Sequence, residues 1–173
     1  MKKRFIAMII IIAVVLMASF AHFELPYEHT LNAVKLDAQG NEIGTVEIPI
    51  QGIVRRSLLL PDELLAQVRE FDSISGFDVD SAKYEKFIGD DFLHCTFATT
   101  DLGSKDDILN AFTNGSGELN PTSYTYSVSI SEDFDRWLIH VVVDENEPVY
   151  YLASVSGKYT TQELRDFFEA RLP

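Results

Sequence analysis

Along most of this chain apolar and polar residues alternate with the period of a strand. Val34 and Leu36 alternate with Lys35 and Asp37, and Val46, Ile48 and Ile50 alternate with Thr45, Glu47 and Gln51. Ala38–Glu42, which contains Gly40, reads as the turn between them, so the two runs form a half-buried hairpin. Pro49 has no N–H for a ladder, which places it at an edge or a bulge. After Gly52 the alternation slips at Ile53 and Val54, as a bulge would cause. A strand over Phe92–Thr99 puts Leu93, Cys95 and Phe97 on one face and His94 on the other. Tyr124, Tyr126, Val128 and Ile130 alternate with Ser123, Thr125, Ser127 and Ser129. The almost wholly apolar Trp137–Val143 and then Val149–Ser154 complete a three-stranded antiparallel meander.

Helical spacing is rarer. Leu64, Val68 and Phe71 fit a helix within Leu58–Phe71, with an irregular strand as the alternative. Tyr84, Phe87 and Ile88 suggest one short helical turn stopped by Gly89. Lys105–Thr113 reads as a helix capped by Ser104 and ended by Asn114-Gly115. Another runs over Thr161–Arg171, where Thr160 and Glu163 make a capping box and Leu164, Phe167 and Phe168 share a face. The expected class is α+β: an antiparallel sheet, hairpin plus three-stranded meander, packed by one or two helices and preceded by an N-terminal transmembrane helix.

That last element rests on residues 1–23. Lys2, Lys3 and Arg4 precede Phe5–Ala21, a run with no charge, Gly or Pro, which as a helix spans on the order of 26 Å. The basic cluster is expected to stay in the cytoplasm, giving a single-pass plasma-membrane protein whose C-terminal domain, residues 24–173, lies outside. Secretion after cleavage is the alternative, because Ser19-Phe20-Ala21 fits a signal-peptide site before His22. A short tether is expected around Glu24–His29.

Composition narrows the function classes. Hydrophobic residues make up 46% and charged residues 24%, which excludes intrinsic disorder and a polytopic membrane protein. The formal charge is −13; three of the 14 basic residues and none of the 27 acidic ones precede residue 24, so the domain carries −16. Such a domain is a poor partner for nucleic acid or anionic lipid. The single cysteine, Cys95, excludes a disulfide framework.

Motifs that carry chemistry are few. No nucleophile elbow, zinc helix or phosphate loop is present. Gly157-Lys158-Tyr159-Thr160 resembles only the tail of a phosphate loop and reads as a strand-to-helix turn. Asp78 and Asp80 alternate like calcium ligands, but Lys83 and Gly89 occupy the positions that need Gly and Glu, and with Asp90 and Asp91 they read as a solvated acidic loop. His22 and His29 flank the apolar run and the tether. His94 and His140 would approach each other only if their strands were neighbours, and two ligands fall short of a zinc site. Cys95 reads as a small apolar residue. Tyr124, Tyr126, Tyr150, Tyr151, Tyr159 and Trp137 crowd the last third of the chain, as strand packing or as a recognition surface. No residue is assigned to catalysis, a cofactor or a metal. The expectation is a membrane-anchored, non-enzymatic binding or structural interaction module. An exported small-ligand binder using an aromatic sheet face, and then a hydrolase, are the alternatives. The expected partners are the membrane, through the N-terminal helix, and a protein or an uncharged ligand; nucleic acid is not among them.

Overall fold

The computed structural model describes residues 6, 8–11, 23–57, 60–86, 91–101, 121–144 and 146–173. Among them the strands are β1 (Phe23–Leu36), β2 (Glu42–Arg56), β3 (Glu63–Val68), β4 (Phe77–Asp80), β5 (Glu85–Lys86), β6 (Phe92–Asp101), β7 (Thr122–Ser131), β8 (Arg136–Val143) and β9 (Val149–Ser154). The helix α1 (Thr161–Phe167) and a 3₁₀ turn, Glu169–Arg171, follow them, and residues 6 and 8–11 are also helical. All nine strands form one antiparallel sheet in the order β4-β3-β2-β1-β9-β8-β7-β6-β5.

The two ends of that order are neighbours in the chain. Only the 3₁₀ turn Ser81–Lys83 and Tyr84 separate β4 from β5. The stretch from β4 to β5 therefore acts as one bent strand that pairs first with β3 and then with β6. It curls the sheet into a flattened barrel, and the Phe77 ring of β4 lies 5.5 Å from Phe97 of β6 and 4.7 Å from Tyr126 of β7. The halves β1–β4 and β6–β9 meet along two thin seams. One is the β1–β9 ladder, confined to Val34–Leu36 against Leu152–Tyr150. At the other, β5 pairs with β6 through Glu85↔His94 and Lys86↔Leu93 alone.

Period-two alternation points one side of every strand into a common core. Leu31, Ile48, Ile50, Leu64 and Val68 from the first half meet Tyr126, Val128, Trp137, Ile139 and Tyr151 from the second. The tyrosines do more than fill volume, because their hydroxyls bridge the halves. Tyr27 Oη donates to the Phe134 carbonyl (2.8 Å), Tyr126 Oη to the Ser75 carbonyl (2.6 Å) and Tyr151 Oη to the Asp72 carboxylate (2.7 Å). A buried phenol needs such a partner, and each bond spans a seam that few ladder bonds hold. Asp72 sits in a tight turn in which it and Ser73 adopt φ of 49° and 61°, a conformation aspartate tolerates better than most side chains. Burial alone would raise its carboxyl, but hydrogen bonds from Lys35 and Tyr151 outweigh that and hold it below the usual carboxylate range.

A smaller core lies on the outer face. Leu164 and Phe168 are buried against Leu36, Leu138, Tyr150, Leu152 and Phe92. Burying each contributes about 2 kcal/mol, which a helix of seven residues needs, since it is too short to persist alone. Its capping box forms as expected: Thr160 Oγ1 accepts from the Glu163 N–H and the Glu163 carboxylate accepts from the Thr160 N–H. The Arg136 guanidinium lies 3.5 Å from the Phe167 ring centroid and 5.1 Å from that of Tyr159.

Several expectations are corrected. The class is mainly β rather than α+β. The segment that fits a helix at Leu64, Val68 and Phe71 is strand β3, because Ala66 joins Leu64 and Val68 in a buried period-two row between β2 and β4. The tether at Glu24–His29 is the first half of β1, with Tyr27 buried. Of the helical turn expected over Tyr84, Phe87 and Ile88, Tyr84 is an extended residue that follows a 3₁₀ turn, and Phe87, Ile88 and Gly89 lie outside the described residues. The slip expected after Gly52 is absent, because the register of β2 against β1 is continuous from Gly44 to Arg56; the shift lies at the other end, between Lys35 and Leu36, where Ile43 is passed over. Gly52 holds an inward position, and Val54 follows in phase. No helix among the described residues is long and apolar enough to cross a membrane, so the expected transmembrane helix is not found among them. Most of residues 1–23, and the expected helix at Lys105–Thr113, lie outside the described residues.

Candidate functional site

β1 is paired with β2 along its whole length but with β9 at three residues only. The rest of its second edge is open among the described residues. The Pro49 carbonyl accepts from the Arg69 N–H (2.9 Å), so the backbone of Pro49 points toward β3 and away from β1. Its cross-strand partner Thr30 must then point its own N–H and C=O away from β2. By alternation the same holds for Glu24, Pro26, Glu28 and Asn32, and Val34 in this series meets Leu152 of β9. Both strand prolines fit the rule that a missing N–H belongs at an edge. Pro26 faces the open side of β1, and Pro49 faces the side of β2 where β3 has ended.

Two clefts flank this edge and share Thr30. One, of about 480 Å³, is lined by Thr30, Asn32, Ser154, Ser156, Tyr159 and Thr161 over a floor of Val34, Leu152 and Leu164. Hydroxyl and amide groups dominate it, and no carboxylate, ammonium or guanidinium lines it. The other, of about 400 Å³, runs across the outer face past Glu28, Thr30, Gln51 and Arg69. There the Arg69 guanidinium donates to Gln51, whose amide donates to Glu28 Oε1 (3.2 Å). Further out, Arg55 Nε pairs with Glu24 Oε1 at 3.1 Å. On the concave side Phe23 and Leu25 are 61% and 45% exposed. The β7–β8 turn closes the lower end, because the bond from Tyr27 to Phe134 brings Asp133 and Asp135 beside β1.

Of the residues singled out in the sequence, Gly157 and Tyr159 line the first cleft and His29, on β1, the second; the others lie elsewhere. His94 and His140 share the outer face, but β7 separates their strands. His94 Nδ1 contacts Ser129 Oγ at 2.8 Å. His140 stacks on Tyr150 with ring centroids 4.7 Å apart, and no hydrogen-bond partner meets its buried Nε2 among the described residues. Cys95 is a free, half-buried thiol on the inner face, and burial raises its pKa. Tyr124, Tyr126, Tyr151 and Trp137 are core residues. Asp80 caps the 3₁₀ turn and pairs with Lys83 at 3.0 Å. Asp78 accepts from Gln67, Asp91 is exposed, and Asp90 and His22 lie outside the described residues. Gly157 and Lys158 form the turn before α1. No group of three or more His, Cys, Asp or Glu among the described residues is placed to hold a metal ion. The open edge itself was missed, although Phe23, Leu25, Tyr27 and Leu31 alternate with Glu24, Pro26, Glu28 and Thr30.

His140 has a measurable consequence. Burial lowers its pKa below the ordinary value of about 6.5. The folded state therefore binds fewer protons than the unfolded chain below that pH, and its stability declines as pH falls through that value. Tyr150 and Ser127, its cross-strand neighbours, carry no charge there. His140→Leu should remain folded at neutral pH and flatten the fall in urea midpoint on moving to mildly acidic pH. An unchanged slope would show that another group carries it.

No family model matches the chain, nor does any curated protein or solved structure.

Proposed function

We infer that the chain is a non-enzymatic binding module that holds an extended polypeptide along the open edge of β1. The observation that supports this reading most directly is the mismatch between β1, which runs from Phe23 to Leu36, and its three-residue ladder with β9. A strand laid on Glu28, Thr30 and Asn32 satisfies backbone groups that otherwise face water, and main-chain bonds of this kind supply affinity in strand addition. The hydroxyl-lined cleft beside Thr30 and Asn32 suits small polar side chains on that segment. The folded barrel supplies a preformed surface, which limits the ordering cost to the partner.

Thr30→Pro tests the reading. The Thr30 N–H faces the open edge and takes no part in the β1–β2 ladder, so the change should cost no more than about 1 kcal/mol of stability. It removes the central donor and leaves a ring where an added strand must lie. Peptides selected from an unbiased display library against the full chain should slow hydrogen exchange at Glu28, Thr30 and Asn32. They should fail to bind the folded Thr30→Pro variant. Equal binding to both proteins would refute strand addition.

A further inference from the structure

The open edge also has a chemical preference. Side chains of Glu24, Glu28 and Thr30 stand on its outer face, while Phe23 and Leu25 project exposed from the opposite face. Glu24 and Glu28 are four residues apart, so they occupy alternate outer positions with Pro26 between them. Among the described residues Arg55 on β2 pairs with Glu24, and Arg69, just past β3, donates to Gln51. The β7–β8 turn adds Asp133 and Asp135 at the lower end. Asp135 is engaged by Ser154 and the Ser156 N–H, and Asp133 by Ser131, but these bonds leave the negative charge in place. Around the edge, then, the exposed carboxylates of Glu24 and Glu28 stand on β1 itself, held from behind by Arg55 and Gln51 of β2. The domain as a whole adds to the same field with −16.

We propose that the segment bound at this edge belongs to a partner protein and alternates Lys or Arg with apolar residues, its basic side chains lying over Glu24 and Glu28 and its apolar ones over Leu25 and Phe23. This rests on the strand-addition reading and adds the partner's chemistry to it. Opposite charges directly across a strand pair attract, like charges repel, and a focused acidic edge speeds encounter with a basic segment. The same geometry disfavours a second copy of the chain. Antiparallel pairing of two β1 edges about Glu28 would set Glu28 against its own copy and place Pro26, which has no donor, opposite Thr30. Charge and proline are the devices by which an edge resists pairing with itself.

The probes are three end-capped peptides of equal length, alternating Lys-Val, Thr-Val and Glu-Val, titrated against the full chain by fluorescence anisotropy. The Lys-Val peptide should bind about tenfold or more tightly than Thr-Val, with the difference shrinking as salt is added, and Glu-Val should bind weakest. Glu24→Lys with Glu28→Lys should reverse that order. Thr30→Pro should abolish binding of all three. If the three peptides bind alike and Thr30→Pro still removes them, the edge stands and the charge preference falls. If Lys-Val binds Thr30→Pro as well as wild type, the attraction is diffuse and the strand-addition reading itself fails. A dimer in sedimentation that Thr30→Pro converts to monomer would make the occupant a second copy and overturn the proposal.

Discussion

Replacing Trp137 with alanine is expected to lower the free energy of unfolding by about 3–5 kcal/mol. Trp137 is wholly buried and heads the large side chains at the centre of the barrel. The loss has two parts. Removing the indole forfeits its burial and leaves a cavity that neighbouring strands, fixed by ladders on both sides of β8, cannot close. It also removes the Nε1–H bond to the Phe134 carbonyl at 3.0 Å, the same oxygen that receives the Tyr27 hydroxyl. Phe134 is held at φ 60° in the β7–β8 turn, a costly conformation that persists only where its surroundings insist on it. With one of two donors gone, the turn should loosen and the anchor of β1 with it. Circular dichroism through a urea titration measures the change, because the variant lacks the sole tryptophan fluorophore. Against a typical total of about 5–15 kcal/mol, the expected loss is a large share. A drop below about 1 kcal/mol would mean that the barrel core is plastic there. Trp137→Phe, which keeps most of the volume but not the donor, should fall between the variant and wild type.

What the sequence made legible, and what it did not, divides along the range of the interactions involved. The hairpin β1–β2, the meander β7–β9 and the capped α1 are each specified by neighbours in the chain: alternation, a turn containing Gly40, and the Thr160–Glu163 pair. β3 was misread because Leu64, Val68 and Phe71 satisfy a helical period as well as Leu64, Ala66 and Val68 satisfy an extended one. Only the ladders to β2 and β4 decide between them, and those depend on residues up to 18 positions away. The first half of β1 reads as a tether when taken alone, because its alternation continues into the hairpin only across Pro26, whose missing N–H fits an edge. The tyrosines showed that aromatic surface was concentrated late in the chain. They did not show that Tyr126 and Tyr151 reach across a seam to Ser75 and Asp72, a pairing visible only once the ends of the sheet have met. The open edge needs still more: the lengths of β1 and β9 and their offset must be known together. Ser154-Val155-Ser156-Gly157, which turns the chain away from β1, was the local signal that β9 would end early.

Gly52→Ala is expected to cost about 3 kcal/mol, at the upper end for overpacking, because the clash is with main chain. A Cβ on Gly52 would lie 2.2 Å from the Leu65 carbonyl oxygen and 2.5 Å from the Ala66 Cα. A side chain in that position could rotate away, but a strand backbone cannot. Relief requires β3 to move off β2, weakening the ladder that pairs Ile50–Arg55 with Val68–Glu63 and, behind it, the short β4 that bends toward β6. Hydrogen exchange at Leu65 and Gln67, whose N–H groups face β2 in step with that of Arg69, should accelerate more than at Val128 or Ile139, which belong to the other half. Gly44 provides the control. It lies in the same strand with nothing within 4 Å of an added Cβ, so Gly44→Ala should change stability by no more than about 0.5 kcal/mol. Equal behaviour of the two variants would contradict the close approach of β2 and β3. The pair also separates stability from binding. Glu28, Thr30 and Asn32 are set by the β1–β2 hairpin, whose register Gly52→Ala does not alter, so the surviving folded fraction should still bind peptide. Arg69 and Gln51, by contrast, should lose their contact as β3 withdraws, opening the cleft beside Glu28 and leaving its carboxylate more available to a basic segment.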